Sequence, residues 1–224
     1  MKNTTSSPIG LLVATGPSLK DIPLSFLQGY RSYSANGIFL YEGFSPHHYF
    51  CSDIFFLERP RNWNAIQNLS NTSEVWIRWP YHAKMGYKAR PLHRAKGIWS
   101  YEPDIVVGLG GSVMYQCMQV AYWHGIKTLL IVGLDHDYFD YNTMPKHFDD
   151  KYIMNPERHP QVIWGSKRSQ SDYSAKAKKL TDRSYDAARE IFEEDGRRII
   201  NLTPNTQCES FEKGDWHDWI VDNT

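Results

Sequence analysis

The amino-acid sequence predicts a doubly wound α/β domain with a mostly parallel sheet, and three observations support that fold class. Short apolar runs recur along the chain and end in glycine or small polar residues, as buried parallel strands do where a loop leaves the sheet. Helix-forming segments alternate with these runs. One complete strand–helix–strand unit lies between positions 105 and 134. A chain of 224 residues is long enough for one such domain.

Each predicted strand is a short apolar run followed by a turn signal. In chain order the strands cover residues 9–14, 30–35, 48–51, 75–79, 105–107, 128–134 and 199–202. The run 128–134 is apolar along its whole length, which is typical of a strand covered on both faces. Helices are predicted over 113–124, where Gly125 fits the C-terminal cap, and over 172–195. The helix 113–124 and the strands 105–107 and 128–134 together predict a βαβ crossover.

Two segments are less regular than the rest of the chain. The predicted organisation is one α/β domain over 1–224, in which 58–104 and 138–172 are insertions or lids. Both segments lack a regular apolar period and are rich in Trp, Tyr, Arg and Pro. We therefore expect loops or short helices there, lying over one edge of the sheet.

Composition and charge narrow the class of protein. Lys and Arg total 25 and Asp and Glu total 25, so the formal net charge is zero and nucleic acid is not an expected partner. No apolar run approaches the roughly 20 residues of a membrane helix, and the N-terminus lacks the apolar core of a signal peptide. Cys51, Cys117 and Cys208 lie far apart, which suits reduced thiols and gives no zinc-ligand spacing. We therefore expect a cytoplasmic protein without a transmembrane segment.

Candidate binding residues follow the predicted strands, because ligands of open α/β sheets bind beyond the carboxyl ends of the strands. The residues at those positions are small or polar: Thr15, Gly16, Pro17, Ser18, Asn36, Asp53, Gly110, Gly111, Ser112 and Asp135. Free N–H groups at the start of the helix after Ser112 would attract a phosphate. A plain turn with Ser112 as the helix cap explains the same residues. A tight turn likewise explains the group that ends at Ser18.

Candidate catalytic residues lie in and after the loop that follows the strongest predicted strand. Asp135 and Asp137 are separated by one residue, a spacing that can hold a divalent metal against a diphosphate, or that lets Asp135 cap local amides. Tyr138 and Tyr141 can donate phenolic hydrogen bonds to a leaving phosphate, or pack within the loop. His147 is a candidate general base, one of nine histidines among which the sequence does not choose.

Several blocks of the chain resemble a known family. They are, in order, LLVATGPSLKDIPLSFL, YSANGIFLYEGFSPHHYFCSDIFF, GGSVMYQCMQVAYWHGIKTLLIVGLDHDY, KHFDDKY and SYDAAREIFEEDGRRIINLTPNTQCESF. Together they cover about half of the chain and resemble the domain family DUF115, which is grouped with 6-hydroxymethylpterin diphosphokinases. That family is in turn similar to the bacterial CMP-sialic-acid-dependent sialyltransferases. The resemblance implies a Rossmann-like, sialyltransferase-like fold.

The resemblance also implies roles for individual residues. The GPSL loop, residues 16–19, and Asn36 would face the phosphates and sugar of a nucleotide. Gly111 and Ser112 would line the nucleotide pocket, and Asp135 would lie at its floor. The two loop tyrosines loosely match those that hold the leaving phosphate in the sialyltransferases.

Three departures separate this chain from the sialyltransferases. Asp53 stands where they carry Asn, and no Arg stands shortly before Gly110. Their catalytic His precedes a Ser-Lys pair, whereas Ser166 and Lys167 here follow Trp and Gly. The resemblance therefore does not supply a general base for this chain.

Three functions stay open from the sequence. The first is transfer of a sugar from a nucleotide donor, such as a CMP-sugar, to a surface glycan, with no cofactor expected. The second is a diphosphokinase that uses Mg²⁺ and ATP on a hydroxymethylpterin-like acceptor, with Asp135 and Asp137 as metal ligands. The third is a non-catalytic nucleotide- or sugar-binding module. The expected partners of the sugar transferase are a nucleotide-sugar donor and a glycan acceptor. Peripheral association with the inner membrane stays open. The identity of the sugar, the identity of the acceptor and the oligomeric state also stay open.

Overall fold

The computed structural model describes residues 8–97, 99–137, 147–149, 151–152 and 170–220, with the backbone alone for 170–174. Within these residues the chain forms ten strands and five α-helices. The strands are β1 (Ile9–Val13), β2 (Arg31–Ala35), β3 (His48–Cys51), β4 (Glu74–Arg78), β5 (Ala89–Leu92), β6 (Arg94–Lys96), β7 (Val107–Leu109), β8 (Thr128–Val132), β9 (Arg198–Asn201) and β10 (Glu212–Lys213). The helices are α1 (Leu24–Gln28), α2 (Ile54–Leu57), α3 (Pro60–Leu69), α4 (Val113–Trp123) and α5 (Gln170–Glu194). The same residues also form 3₁₀ turns over Pro17–Asp21, Asn36–Leu40, Tyr81–Lys88 and Trp216–Trp219.

Eight of these strands form one sheet, in the order β10-β9-β8-β1-β2-β3-β4-β5, and every neighbouring pair is parallel. From β1 the chain moves outward through β2 to β5 and then returns to β8, which pairs with the other side of β1. The direction of winding therefore switches between β1 and β8, where Ile9 is opposite Thr128 and Val13 is opposite Val132. This topology confirms the predicted doubly wound α/β fold, in which ligands bind in the crevice at the carboxyl ends of the strands beside the switch point.

Helices cover both faces of the sheet, which explains why its strands read as continuous apolar runs. Leu12 of β1 packs in the hydrophobic cluster that includes residues of α4 and α5. Its neighbours Leu11 and Val13 pack in the opposite cluster, with residues of α1, α2 and α3. All three side chains are fully buried, and each such burial contributes about 1.5–3 kcal/mol.

Most predicted elements are confirmed. Six predicted strands correspond to β1, β2, β3, β4, β8 and β9, and the two predicted helices correspond to α4 and α5, with every boundary within two residues. No described helix is long and apolar enough to cross a membrane.

The predicted βαβ crossover was wrong at its first strand. The strand there is β7, and Ile105, expected inside it, is 60% exposed. β7 pairs with β6 in a separate two-stranded sheet, so α4 does not join neighbouring strands of one sheet. The side chain of Gln119 in α4 satisfies backbone groups of β7 that a neighbouring strand would otherwise bond. Its Oε1 accepts from the Gly108 N–H at 2.8 Å, and its Nε2 donates to the Gly108 carbonyl at 3.1 Å. A buried amide therefore satisfies this backbone, which the apolar pattern does not reveal.

The segment 58–104 differs from the predicted loops and short helices. It contributes the ten-residue helix α3 and the strands β4 and β5, and β5 is an outer strand of the main sheet. β5 has the sequence ARPL and is buried only at its two ends, so it carries no apolar run. Most of the second irregular segment, 138–172, lies outside the described residues.

Candidate functional site

The candidate site lies at the carboxyl ends of β1, β2 and β8. Backbone bonds join the first and last of these strands beyond their ladder: Ala14 N–H donates to Val132 O at 2.9 Å, and Gly16 N–H donates to Gly133 O at 2.8 Å. Gly133 has a φ of +70°, which only glycine adopts at little cost. This turn at the end of β8 directs the following residues over the loop that leaves β1.

Asp135 and Ser18 meet in this crevice. The half-buried carboxylate of Asp135 accepts from the Ser18 N–H at 3.2 Å and from Ser18 Oγ at 2.8 Å. A Cβ placed on Gly16 would lie 2.0 Å from Asp135 Oδ2, so this approach requires glycine. Burial raises the pKa of Asp135, the bonds from Ser18 lower it in part, and the neighbouring Asp137 raises it. The structure thus uses Asp135 to tie the first loop to the end of β8.

Thr15, Asn36 and Tyr152 form a second group of polar atoms at this edge. The phenol of Tyr152 lies beside the Thr15 and Asn36 side chains and the Gly37 N–H, which lower its pKa in part, whereas burial raises that pKa to about 12. A Cβ on Gly37 would lie 2.0 Å from the Tyr152 ring. Asn36 is in the left-handed region with a φ of +50°, and its carbonyl accepts from Tyr49 Oη at 2.9 Å. Its side-chain oxygen Oδ1 is buried and has no hydrogen-bond partner among the described residues.

His147, the predicted general base, also lies at the end of β1. Its Nδ1 is 3.3 Å from the Thr15 carbonyl oxygen, and its ring stacks on Tyr152 with centroids 3.6 Å apart. Donation from Nδ1 to that carbonyl makes Nε2 the proton-accepting nitrogen. The Phe148 N–H donates to the same carbonyl at 3.1 Å, which fixes this short stretch against β1.

The glycine loop before α4 packs against helices. Ser112 is the N-cap of α4, because its Oγ accepts from Met114 N–H at 3.1 Å. A Cβ on Gly111 would lie 2.7 Å from Thr181 Oγ1 of α5, and one on Gly110 would lie 2.4 Å from the Tyr115 ring. The cap is therefore present, and binding of a nucleotide by this loop stays a prediction.

Asp53 is likewise an N-cap, since its Oδ1 accepts from Phe55 N–H at 2.9 Å. Two arginines that the sequence analysis missed lie near it. Arg94 Nη1 donates to the Ser52 carbonyl at 3.2 Å, and its pKa is lowered by burial and by Arg78 and raised by Asp53. Arg78 ends β4, so the rule that selects residues at the carboxyl ends of strands would have found it.

His136 joins the loop after β8 to α5. It has a φ of +62° and a fully buried side chain, and its Nε2 is 2.6 Å from Asp182 Oδ1. Lys178 donates to the other oxygen of Asp182 at 2.8 Å. Burial lowers the pKa of His136, and Asp182 opposes that shift. The two residues are distant in the chain, so no local sequence pattern indicates this contact.

The remaining predicted residues are less well defined. Tyr138 and Tyr141 lie outside the described residues. Asp137 is half-buried beside Asp135. Where the chain is described, one group of three His, Cys, Asp or Glu side chains has ligand atoms close enough for a metal ion. It consists of His48, Glu74 and His124 and lies at the amino ends of the strands, so it does not include the predicted pair.

A doubly wound parallel sheet with polar groups at its switch point is the architecture of α/β proteins that bind ligands beyond their strand ends. No family model and no curated protein matches the chain. Among solved structures, a variant of the sialyltransferase CST-II in complex with CMP aligns with a TM-score of 0.50 and 15% identity, over 91% of this chain and 85% of that chain.

Two further sialyltransferase structures are similar. CST-II with a trisaccharide acceptor and CMP gives a TM-score of 0.49, 16% identity, and coverage of 91% and 85%. CstII from Campylobacter jejuni with CMP, described as a substrate analogue, gives 0.45, 14%, and coverage of 91% and 83%. The first similarity shows a sialyltransferase-like fold. The resemblance to DUF115 stays a prediction.

Proposed function

We propose that this protein is a glycosyltransferase that transfers a sugar from a nucleotide donor to a glycan acceptor. The observation that carries the proposal is the convergence of Thr15, Asn36 and Tyr152 at the carboxyl ends of β1 and β2, beside the switch point of the sheet. Asn36 Oδ1 is a buried acceptor without a partner among the described residues. Such an atom is costly to bury, and a hydroxyl or amino group of a nucleoside would satisfy it.

The chemistry requires a stabilised leaving group and a base. The acceptor oxygen forms a bond to the anomeric carbon while the bond from that carbon to the phosphate oxygen breaks, and the nucleotide leaves with the electron pair. The Thr15 hydroxyl and backbone N–H groups near Ser112 would stabilise the developing phosphate charge. Tyr138 and Tyr141 would donate to the same phosphate. His147 Nε2 would take the proton of the acceptor hydroxyl.

Position and charge support this assignment of roles. His147 lies against the carbonyl of Thr15, so the proposed base and the proposed nucleotide loop are adjacent. Arg78 and Arg94, near Asp53 at the same edge, add positive charge that would favour an anionic donor. The CST-II variant with the TM-score of 0.50 is in complex with CMP, so CMP-sugars are the first donors to test.

The diphosphokinase alternative requires a Mg²⁺ site at Asp135 and Asp137. Both carboxylate oxygens of Asp135 accept hydrogen bonds from Ser18. A magnesium ligand must present an oxygen to the ion, and these bonds already engage both oxygens. These residues therefore fit the metal poorly, and the transferase is the better supported function.

The test is a thermal-shift panel of CMP, UMP and ATP, each with EDTA and with Mg²⁺, followed by an assay of CMP release from CMP-sugars. We expect CMP to raise the melting temperature in EDTA, and Asn36→Gly to abolish that shift. Asn205→Gly is the matched control, because Asn205 is exposed and has a similar φ of +53°. It should keep the full shift.

Other results would contradict the proposal in different ways. A shift with ATP and Mg²⁺ alone would support the diphosphokinase. Binding of CMP without release from any CMP-sugar would support a binding module. Equal shifts in the two Asn variants would remove Asn36 from the site.

A further inference from the structure

We infer that one edge of the molecule is a docking surface for an anionic phospholipid bilayer. This basic edge consists of Trp79, Lys84, Tyr87, Lys88 and Arg90, which lie in the connection from β4 to β5 and on β5 itself. The inference rests on charge, exposure and pairing, and it does not depend on the proposed transfer reaction.

The first observation is the distribution of charge along the chain. The whole chain has 25 basic and 25 acidic residues. Residues 75–101 nevertheless contain no Asp or Glu, whereas they include Arg78, Lys84, Lys88, Arg90, Arg94 and Lys96. A net-neutral protein therefore concentrates positive charge in one segment. Anionic lipid surfaces attract such a segment, and the attraction grows with each Lys or Arg close to the surface.

The second observation is that the fold displays this segment at an outer edge. β5 is the last strand of the sheet, so its free side has no neighbouring strand in the described structure. The turn Tyr81–Lys88 packs on β4 and β5, and its buried Met85 anchors it. The side chains around this anchor point outward: Tyr87 is 97% exposed and Trp79 is 55% exposed.

The third observation concerns the partners of the basic groups. Arg90 pairs with Glu74 and lies over the Trp76 ring, so its charge is partly offset. Lys84 lies over the Tyr81 ring with its Nζ 4.8 Å from the centroid. Neither Lys84 nor Lys88 pairs with a carboxylate of the described residues, and both are exposed. Two ammonium groups beside exposed rings are therefore available to lipid phosphates.

The combination of aromatic and basic groups favours a bilayer over other polyanions. Indole and phenol rings concentrate at the level of lipid headgroups, with the ring in the apolar boundary and the polar atom in water. Lysines beside them reach the phosphates at the same depth. A nucleic acid would also attract the lysines, and the experiment separates the two partners.

The test is co-sedimentation of the full chain with vesicles of phosphatidylcholine alone and with added phosphatidylglycerol. We expect pelleting with the anionic vesicles alone and a decrease with added salt. The double variant Lys84→Glu/Lys88→Glu should bind at least about tenfold more weakly. Lys127→Glu/Lys213→Glu changes the net charge equally on the other side of the sheet from β5, directly before β8 and in β10, and should bind like the parent chain.

A single aromatic variant tests the depth of contact. Tyr87→Ser leaves the charge unchanged and should still weaken binding several-fold, because the exposed ring no longer enters the boundary region. Absence of binding to anionic vesicles by the parent chain would overturn the inference. So would equal losses in the two charge variants, or binding to single-stranded RNA with no binding to vesicles.

Discussion

The two ends of the parallel sheet carry polar residues of different kinds. At the carboxyl ends of β1, β2 and β8 lie Thr15, Ser18, Asn36 and Asp135, of which Asp135 alone has a titratable side chain. At the amino ends of β2, β3 and β4 lie Arg31, His48 and Glu74, joined by His124 from the end of α4. All four side chains of this second group are titratable.

The charged groups at the amino ends bind one another. Arg31 Nε donates to His48 Nε2 at 3.0 Å, and His48 Nδ1 is 2.7 Å from Glu74 Oε2. Glu74 also pairs with Arg90, and its pKa, which burial raises, is lowered overall to about 2 by these two partners. His124 bonds Tyr33 Oη through Nδ1 at 3.0 Å. This is a closed network of ion pairs and hydrogen bonds.

One buried polar atom at the carboxyl end, Asn36 Oδ1, has no hydrogen-bond partner among the described residues. The amino end also holds such an atom, Ser73 Oγ beside Glu74. What distinguishes Asn36 Oδ1 is its position after β2, next to the switch point, where doubly wound sheets bind their ligands. Position in the fold is therefore a better guide to a binding site than the density of titratable groups.

The largest expected effect tests how tightly the carboxyl end is assembled. Gly16→Ala would place a methyl group 2.0 Å from Asp135 Oδ2 and 2.6 Å from the Gly133 carbonyl oxygen. Because one of these atoms is backbone, the free energy of unfolding should fall by roughly 3 kcal/mol in urea denaturation. Gly196→Ala is the control: it has nothing within 4 Å and a φ of +65°, and should cost about 1 kcal/mol. Equal losses would mean that the loops are not closely packed.

The next effect tests the closed network at the amino end. Burial, His48 and Arg31 lower the pKa of His124 to about 3, so the folded protein holds this ring neutral. The unfolded chain takes up the proton near pH 6.5, so the stability contributed by neutral His124 is complete above that pH. This stability is lost as the pH falls towards about 3. The equilibrium constant for folding decreases by up to about tenfold for each pH unit.

Urea denaturation between about pH 7 and about pH 5 measures this loss. His124→Gln should make the pH dependence shallower, although His47 and His48, whose pKa values are also lowered, keep part of it. Parallel curves for the parent and the His124 variant would contradict the network.

The smallest effect concerns one hydrogen bond of the crevice. Ser18→Ala removes the donor to Asp135 Oδ2 but keeps the backbone bond, so it should cost about 1 kcal/mol of unfolding free energy. Ser45→Ala, at an exposed serine, should cost close to nothing. If the two variants are equally stable, Ser18 Oγ does not hold the loop.

The sequence predicts the central strands well and the edges poorly, for a physical reason. Strands such as β1 and β8 are buried on both faces, so almost every side chain must be apolar. β5 and β6 are partly exposed and carry Arg, Lys and Pro, which leaves no periodic signal. The backbone of β7 is bonded in part by the side chain of Gln119 from α4, and apolar runs do not indicate such a contact.

The candidate site shows the same division. Strand ends identify Ser18, Asn36 and Asp135 from local sequence, and the structure brings Ser18 and Asp135 together. Tyr152 and the pair of His136 with Asp182 reach their places through long-range packing, so no local pattern marks them. What these residues bind stays a prediction.

The pairing of β1 with β8 has a consequence for folding during synthesis on the ribosome. The first strand is made early, yet one of its two flanking neighbours emerges only after more than half of the polypeptide has been synthesised. Until β8 is synthesised, one side of the apolar strand β1 has no neighbouring strand, and the bond between Ser18 and Asp135 cannot form. The crevice is therefore a late product of translation, and nascent chains that stop before β8 are the ones that chaperones must protect.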